Sequence, residues 1–138
     1  MCVAPVDVDL ASNATVIRFK PTVPESVLKK ANLEYQRCER YGVSVFAVMP
    51  LDGENQAETV SRLVGVAQMW IKPQKILVCP SAEGLLALNF RFYKDDGAYT
   101  PDEGGEPAEH YSVDLGEGTI DRVHDFLAAF TDTEEWPQ

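Results

Sequence analysis

The chain has 138 residues, of which 45% are apolar and 25% charged. This length and mixture are typical of one globular domain and argue against a disordered, fibrous or coiled-coil protein. The formal net charge of −10 argues against binding nucleic acid through its phosphates and against adsorption to anionic membranes, since both require clustered Lys and Arg.

The lack of a secretory signal or membrane span in the sequence, together with the cysteine usage, favours a cytoplasmic protein. The start, MCVAPVDVDL, has neither the basic nor the apolar region of a secretory signal, and no run reaches the about 18 to 20 apolar residues of a membrane span. Cys2, Cys38 and Cys79 are odd in number and form no CxxC pair. We expect three free thiols in a reducing compartment.

The first half of the chain predicts strands alternating with helices. Alternating apolar residues indicate strands at 5–10 and 15–20, which are compatible with a hairpin. A helical apolar period, the Thr22 and Glu25 capping spacing and a terminating Gly42 predict a helix at 24–41. The nearly continuous apolar run 43–49 is typical of a central strand covered on both faces.

The second half predicts a further helix, three strands and a last helix. Asn55 and Glu58 have capping spacing before a helical pattern that ends near Lys72. Strands are predicted at 75–79, 85–93 and 110–115, the first two as a hairpin, and a helix at 119–131.

These elements predict one α/β domain over residues 1–138, in the order β(β)αβαβββα. We expect a mixed sheet with helices packed on it, parallel in its early βαβαβ part, although an α+β arrangement also fits. Residues 94–109 are expected to be an acidic loop inserted in a hairpin, and 132–138 a frayed tail.

The charge is distributed unevenly along the chain. Residues 1–93 carry 10 basic and 9 acidic groups, whereas residues 94–138 carry 2 basic and 13 acidic groups, a net of −11. A negative field of this kind speeds the encounter with a positively charged partner, and the alternative is that the acidity serves only to keep the protein soluble.

Few residues predict chemistry. Cys79 ends a strand, where ligands often collect, but we favour a buried thiol in the core, since free cysteine is among the most buried residue types. His110 and Asp114 share one face of a strand about 13 Å apart, too far to share a metal, and we interpret that face as the solvated side of an edge strand. The acidic loop lacks calcium-loop spacing, and no nucleotide-binding or hydrolase motif is present.

Two hypotheses follow. The first is a non-enzymatic acidic module of the inhibitor, immunity, adaptor or chaperone type that binds a basic protein surface, with no cofactor, metal, nucleic acid or membrane. Its binding residues would be the carboxylates of the acidic loop: Asp95, Asp96, Asp102, Glu103, Glu106 and Glu109. The alternative is a small enzyme or small-molecule binder with a pocket at the strand ends near Cys79, lined by Tyr93 and His110.

Overall fold

The computed structural model describes residues 4–19, 23–67, 75–96, 109–130 and 132–135. These residues form one sheet of seven strands with four helices, which confirms the α/β prediction. No helix among them is both long and apolar enough to cross a membrane. The elements are β1 Ala4–Val8, β2 Thr15–Arg18, α1 Pro24–Cys38, β3 Gly42–Val48, α2 Gln56–Ala67, β4 Lys75–Cys79, α3 Glu83–Leu86, β5 Arg91–Asp96, β6 His110–Asp114, α4 Ile120–Ala128 and β7 Asp132–Glu135.

The strand order is β1-β5-β6-β3-β2-β4-β7, and each of these neighbouring pairs is antiparallel. The prediction of parallel pairing in the early part was therefore wrong. β3 and β4 do run in the same direction and are joined through α2, as a βαβ unit requires. However, β2 lies between them and pairs antiparallel with both. The order of elements in the sequence predicts the crossover from β3 to β4, but it does not predict that β2 lies between these two strands.

The sheet is covered on both faces, as the apolar pattern of β3 predicted. The first face carries the larger core, to which α1, α3 and α4 contribute Val27, Leu85 and Phe126, all fully buried. The second face carries a smaller core under α2, built around Phe46 and Leu63. β3 lies in the middle of the strand order, where the prediction placed it.

Helix α1 ends earlier than its sequence predicted. Glu39 adopts a left-handed conformation with φ 60° and donates its backbone N–H to the carbonyl of Tyr35. This closes the helix after Cys38, and Gly42 becomes the first residue of β3 instead of the helix terminator. The predicted cap Thr22 lies outside the described residues.

Helix α2 begins at the capping box that the sequence predicted. The backbone N–H of Glu58 donates to Oδ1 of Asn55 at 2.8 Å, and the N–H of Asn55 donates to Oε1 of Glu58 at 3.0 Å. Two orphan amide groups at the helix start are thereby satisfied. The described helix ends at Ala67, and its predicted continuation to Lys72 lies outside the described residues.

The prediction of a strand over 85–93 was wrong in its first half. Leu85 belongs to the short helix α3 and fills the first core together with Phe90, while Asn89 turns the chain with φ 65°. Alternating apolar residues over so few positions also fit a helical turn that buries one side. The strand itself, β5, begins at Arg91 and continues to Asp96.

Strand pairing differs from the prediction at both edges and in the interior of the sheet. β1 pairs with β5 instead of β2, and β4 pairs with β2 and β7 instead of forming a hairpin with β5. β6 is consequently an interior strand between β5 and β3, not an edge strand. Asp132–Glu135, expected to fray, form the last strand of the sheet. The predicted hairpin around the acidic loop is present, since β5 and β6 pair directly.

Candidate functional site

The acidic loop begins and ends at one end of the sheet. Asp95 and Asp96 finish β5, opposite Pro5 and Ala4 of β1, and Glu109 immediately precedes β6. Asp102, Glu103 and Glu106 lie outside the described residues. The two described ends of the loop therefore place its attachment points beside each other.

Other carboxylates lie at the same end because of how the strands run. This end, where β3, β4 and β5 finish and β6 and β7 begin, also contains the first turns of α2 and α3. We call it the acidic end, and its described carboxylic residues are Asp52, Glu54, Glu58, Glu83, Asp95, Asp96, Glu109 and Asp132. Arg62 and Lys94 accompany them, and both have hydrogen-bond partners.

Glu54 and Arg62 form a built network within the acidic end. Nε and Nη2 of Arg62 donate to the two carboxylate oxygens of Glu54 at 3.0 and 2.9 Å, and Nη2 also donates to the carbonyl of Met49 at 2.8 Å. The Glu54 carboxylate accepts further hydrogen bonds from the Leu51 backbone and the Thr59 hydroxyl. The hydrogen bond from Arg62, with these two, lowers the pKa of Glu54 to about 2, so the carboxylate stays charged.

Glu109 connects the loop to this network. Its carbonyl accepts a hydrogen bond from the Ala47 backbone at 3.0 Å, which fixes the start of β6 against β3. The pKa of Arg62 is raised, mainly by its hydrogen bond to Glu54 and to a smaller extent by the nearby Glu109 carboxylate. Arg62 therefore stays protonated and neutralises part of the local negative charge.

The three residues of the alternative pocket lie on different faces of the sheet. Cys79 pairs with Val16 and is buried in the first core, where its thiol donates to the carbonyl of Ser81 at 3.0 Å. Burial raises its pKa, which disfavours the nucleophilic thiolate. Tyr93 and His110 lie on the second face, on neighbouring strands. The structure thus brings Tyr93 and His110 together and leaves Cys79 apart.

Tyr93 and His110 belong to a row of polar groups on the second face. Ser112 pairs with Ser44 of β3 on one side and with Tyr93 of β5 on the other. The Ser44 hydroxyl is in hydrogen-bond contact with Nε2 of His110, whose ring also packs edge-on against Phe46. We call Ser44, Tyr93, His110 and Ser112 the polar strip. Ser44 is exposed and His110 is buried, so the strip is open to solvent at the serine.

Tyr93 closes the other side of the polar strip. The guanidinium of Arg40 lies 4.9 Å from the ring centre and is ion-paired with Asp7, which covers the ring. Within the described residues the Tyr93 hydroxyl is buried without a well-formed hydrogen bond. Burial, together with the Glu34 carboxylate, raises its pKa to about 12, and the nearby Ser112 side chain offsets only part of this rise. The hydroxyl therefore remains protonated.

Sequence reasoning missed three of the residues that define this face: Arg40, Ser44 and Ser112. Ser44 had a detectable signal, because it is the single polar residue in the apolar run 43–49. Ser112 and Arg40 had none, since their roles depend on β6 lying next to β3 and on the ion pair between Arg40 and Asp7.

Comparison with protein-family models, curated proteins and solved structures finds no match for this chain. No group of three or more metal-ligating side chains occurs within the part of the chain that the structure describes.

Proposed function

We propose that this protein is a non-enzymatic binding module that presents an acidic surface to a basic protein partner. The observation that supports it is the charge split, with a net of −11 in residues 94–138 against +1 in residues 1–93. Acidic residues from both parts of the chain lie at the acidic end by their backbone positions, and Arg62 and Lys94 have partners of their own there. A surface of this kind attracts a positively charged partner and repels nucleic acid and anionic lipid.

The test neutralises the loop and asks whether a partner is lost. Asp95, Asp96, Asp102, Glu103 and Glu106 are changed together to Asn or Gln, and wild type and variant are used as baits in an extract of the source cell. We expect wild type to retain a basic protein, identified by mass spectrometry, and the variant to retain much less of it. Comparable recovery on both baits would contradict the proposal.

A matched control keeps the number of changes and moves them elsewhere. Asp9, Glu25, Glu39, Glu117 and Asp121 are exposed and lie outside the acidic end. Neutralising these five residues removes the same number of negative charges as the loop variant does. If position at the acidic end matters, this control variant should retain the partner nearly as well as wild type. Circular dichroism spectra should match for all three proteins.

A second candidate function is the binding of a small polar molecule at the polar strip. The observation favouring it is the contact between an exposed serine hydroxyl and a buried imidazole, Ser44 and His110. Hydroxyl, imidazole and phenol groups in one row offer both donors and acceptors to a ligand. A fragment screen by NMR should shift the His110 ring signals in wild type but not in Ser44→Ala. No shift with any hydroxyl- or carboxyl-bearing fragment would rule this candidate out.

A further inference from the structure

The acidic end also carries exposed apolar side chains. Met49 and Leu51, on either side of Pro50, directly follow β3 and are 41% and 59% exposed. Val23 and Leu33 are also exposed, and they belong to the α1 segment, which joins the finish of β2 to the start of β3 at the opposite end of the sheet. Apolar side chains surrounded by charged groups have the arrangement of a protein interface, which places an apolar centre within a polar rim.

The backbone that carries Met49 and Leu51 is held in place by the Glu54 network. The Met49 carbonyl accepts a hydrogen bond from Arg62, and the Leu51 N–H donates to the Glu54 side chain at 2.9 Å. The Glu54 N–H closes the turn onto the Leu51 carbonyl at 3.0 Å, with Gly53 at φ +77°. Two apolar side chains are thus presented on a fixed turn, which lowers the entropy cost of binding.

Negative charge lies around this turn. Asp52 is next to Leu51 and is exposed, and Glu58 is exposed in the first turn of α2. The carbonyl of Glu109 accepts the backbone N–H of Ala47, two residues before Met49, at 3.0 Å. A partner that covers Met49 and Leu51 therefore places its surrounding groups among carboxylates. Lysine and arginine side chains fit that position, and acidic side chains do not.

We infer that Met49 and Leu51 are the apolar contacts of the binding surface and that the partner docks through a basic amphipathic segment. Its apolar side chains cover Met49 and Leu51, while its Lys and Arg side chains face the carboxylates of the acidic end. This inference rests on the proposed function and adds the kind of partner to it. It assigns affinity to the apolar pair and encounter rate to the charges.

The experiment measures binding of defined probes by fluorescence anisotropy. One labelled peptide combines lysine with leucine as an amphipathic helix, and the other has the same lysines with serine in place of leucine. The test variant is Met49→Ser with Leu51→Ser. The control variant is Val23→Ser with Leu33→Ser, which removes similarly exposed apolar side chains from the α1 segment between the finish of β2 and the start of β3.

The loss of affinity is expected for one combination only, the test variant with the lysine–leucine peptide. Affinity for the lysine–leucine peptide should fall about tenfold in the test variant, the effect of about 1.4 kcal/mol of lost apolar contact. It should be unchanged in the control variant, and the lysine–serine peptide should bind both variants like wild type. Equal affinities of test variant and wild type, or equal losses in both variants, would overturn the inference.

A third arm separates this inference from the proposed function. The loop variant with five neutralised carboxylates is titrated with the lysine–serine peptide. If it binds that peptide as wild type does, the acidic surface itself is not a binding surface and the proposed function fails. If it binds more weakly while the Met49 and Leu51 changes have no effect, the proposed function stands and only the apolar contact is wrong.

Discussion

The Tyr93 hydroxyl ends against the backbone of Gly42, two strands away in the sheet. A methyl group at Gly42 would overlap this hydroxyl and would lie 2.9 Å from Cγ of Glu34. The φ of Gly42 lies outside the left-handed region, so its backbone conformation does not require glycine. Glycine is favoured here because a larger side chain would need the Tyr93 hydroxyl to move. The residue that we expected to end a helix instead permits close packing on the second face of the sheet.

We predict that Gly42→Ala lowers the free energy of unfolding by about 1 to 3 kcal/mol, the usual cost of overpacking. Tyr93→Phe alone should change stability little, because the hydroxyl makes no well-formed hydrogen bond to any described residue. The two changes should couple in a double-mutant cycle measured by urea denaturation, with Tyr93→Phe reducing the cost of Gly42→Ala. Additive effects would show that the hydroxyl is not what excludes the methyl group.

A glycine without neighbours provides the control for this prediction. Gly65 lies in α2, and a methyl group there would meet nothing within 4 Å. Gly65→Ala should stabilise the protein by about 0.5 to 1 kcal/mol, because alanine loses less backbone entropy in a helix. Opposite signs for the two substitutions would tie the cost at Gly42 to its contacts.

At the scale of single residues, the sequence predicted which side chains are buried better than which side chains contact each other. The helical apolar period after Asn55 predicts Leu63 on the buried side of α2, and the burial tendency of free cysteine predicts Cys79 in the core; both are buried. The contact between Ser44 and His110 could not be predicted, because it depends on β3 and β6 being neighbours although 66 residues separate them. Cys79 lies on the opposite face of the sheet from Tyr93 and His110, and this too depends on a strand order that the sequence does not reveal.

Helix α2 is the element that covers the second face, and Leu63 is its central contact. Leu63 is fully buried against a cluster that includes Phe46 and Ile76. We predict that Leu63→Ala lowers the free energy of unfolding by about 2 to 5 kcal/mol, through lost apolar contact and a cavity. The exposed Leu33 of α1 supplies the comparison, and Leu33→Ala should cost less than about 0.5 kcal/mol. Denaturant titration that gives similar values for both would contradict the assignment of this helix face.

Elements with strong local signals were predicted, and elements defined by pairing were not. The capping box starts α2 as predicted because both of its hydrogen bonds are local in sequence. β7 was missed because residues 132–135, DTEE, have no apolar alternation, and their strand exists through pairing with β4. Acidic residues on an edge strand also discourage pairing with another copy of the chain.

At the scale of the whole molecule, the topology joins charges that the sequence separates. The sequence predicted an acidic last third, and it could not predict that Asp52, Glu54 and Glu83 from the first part would lie at the same end. That placement follows from β3, β4 and β5 all running toward it. The acidic end therefore combines two parts of the chain into one negative region.

The association rate as a function of salt tests this account most directly. The basic partner recovered by the bait experiment is mixed with wild type, or with the variant that neutralises five loop carboxylates, in a stopped-flow instrument at several ionic strengths. Because the screening length is about 8 Å near 0.15 M salt, surface charges act mainly on encounter at lower salt. If the acidic surface steers the partner, the wild-type association rate should fall steeply with salt, and the variant should associate more slowly at a nearly salt-independent rate. Identical association rates for the two proteins at low salt would contradict it.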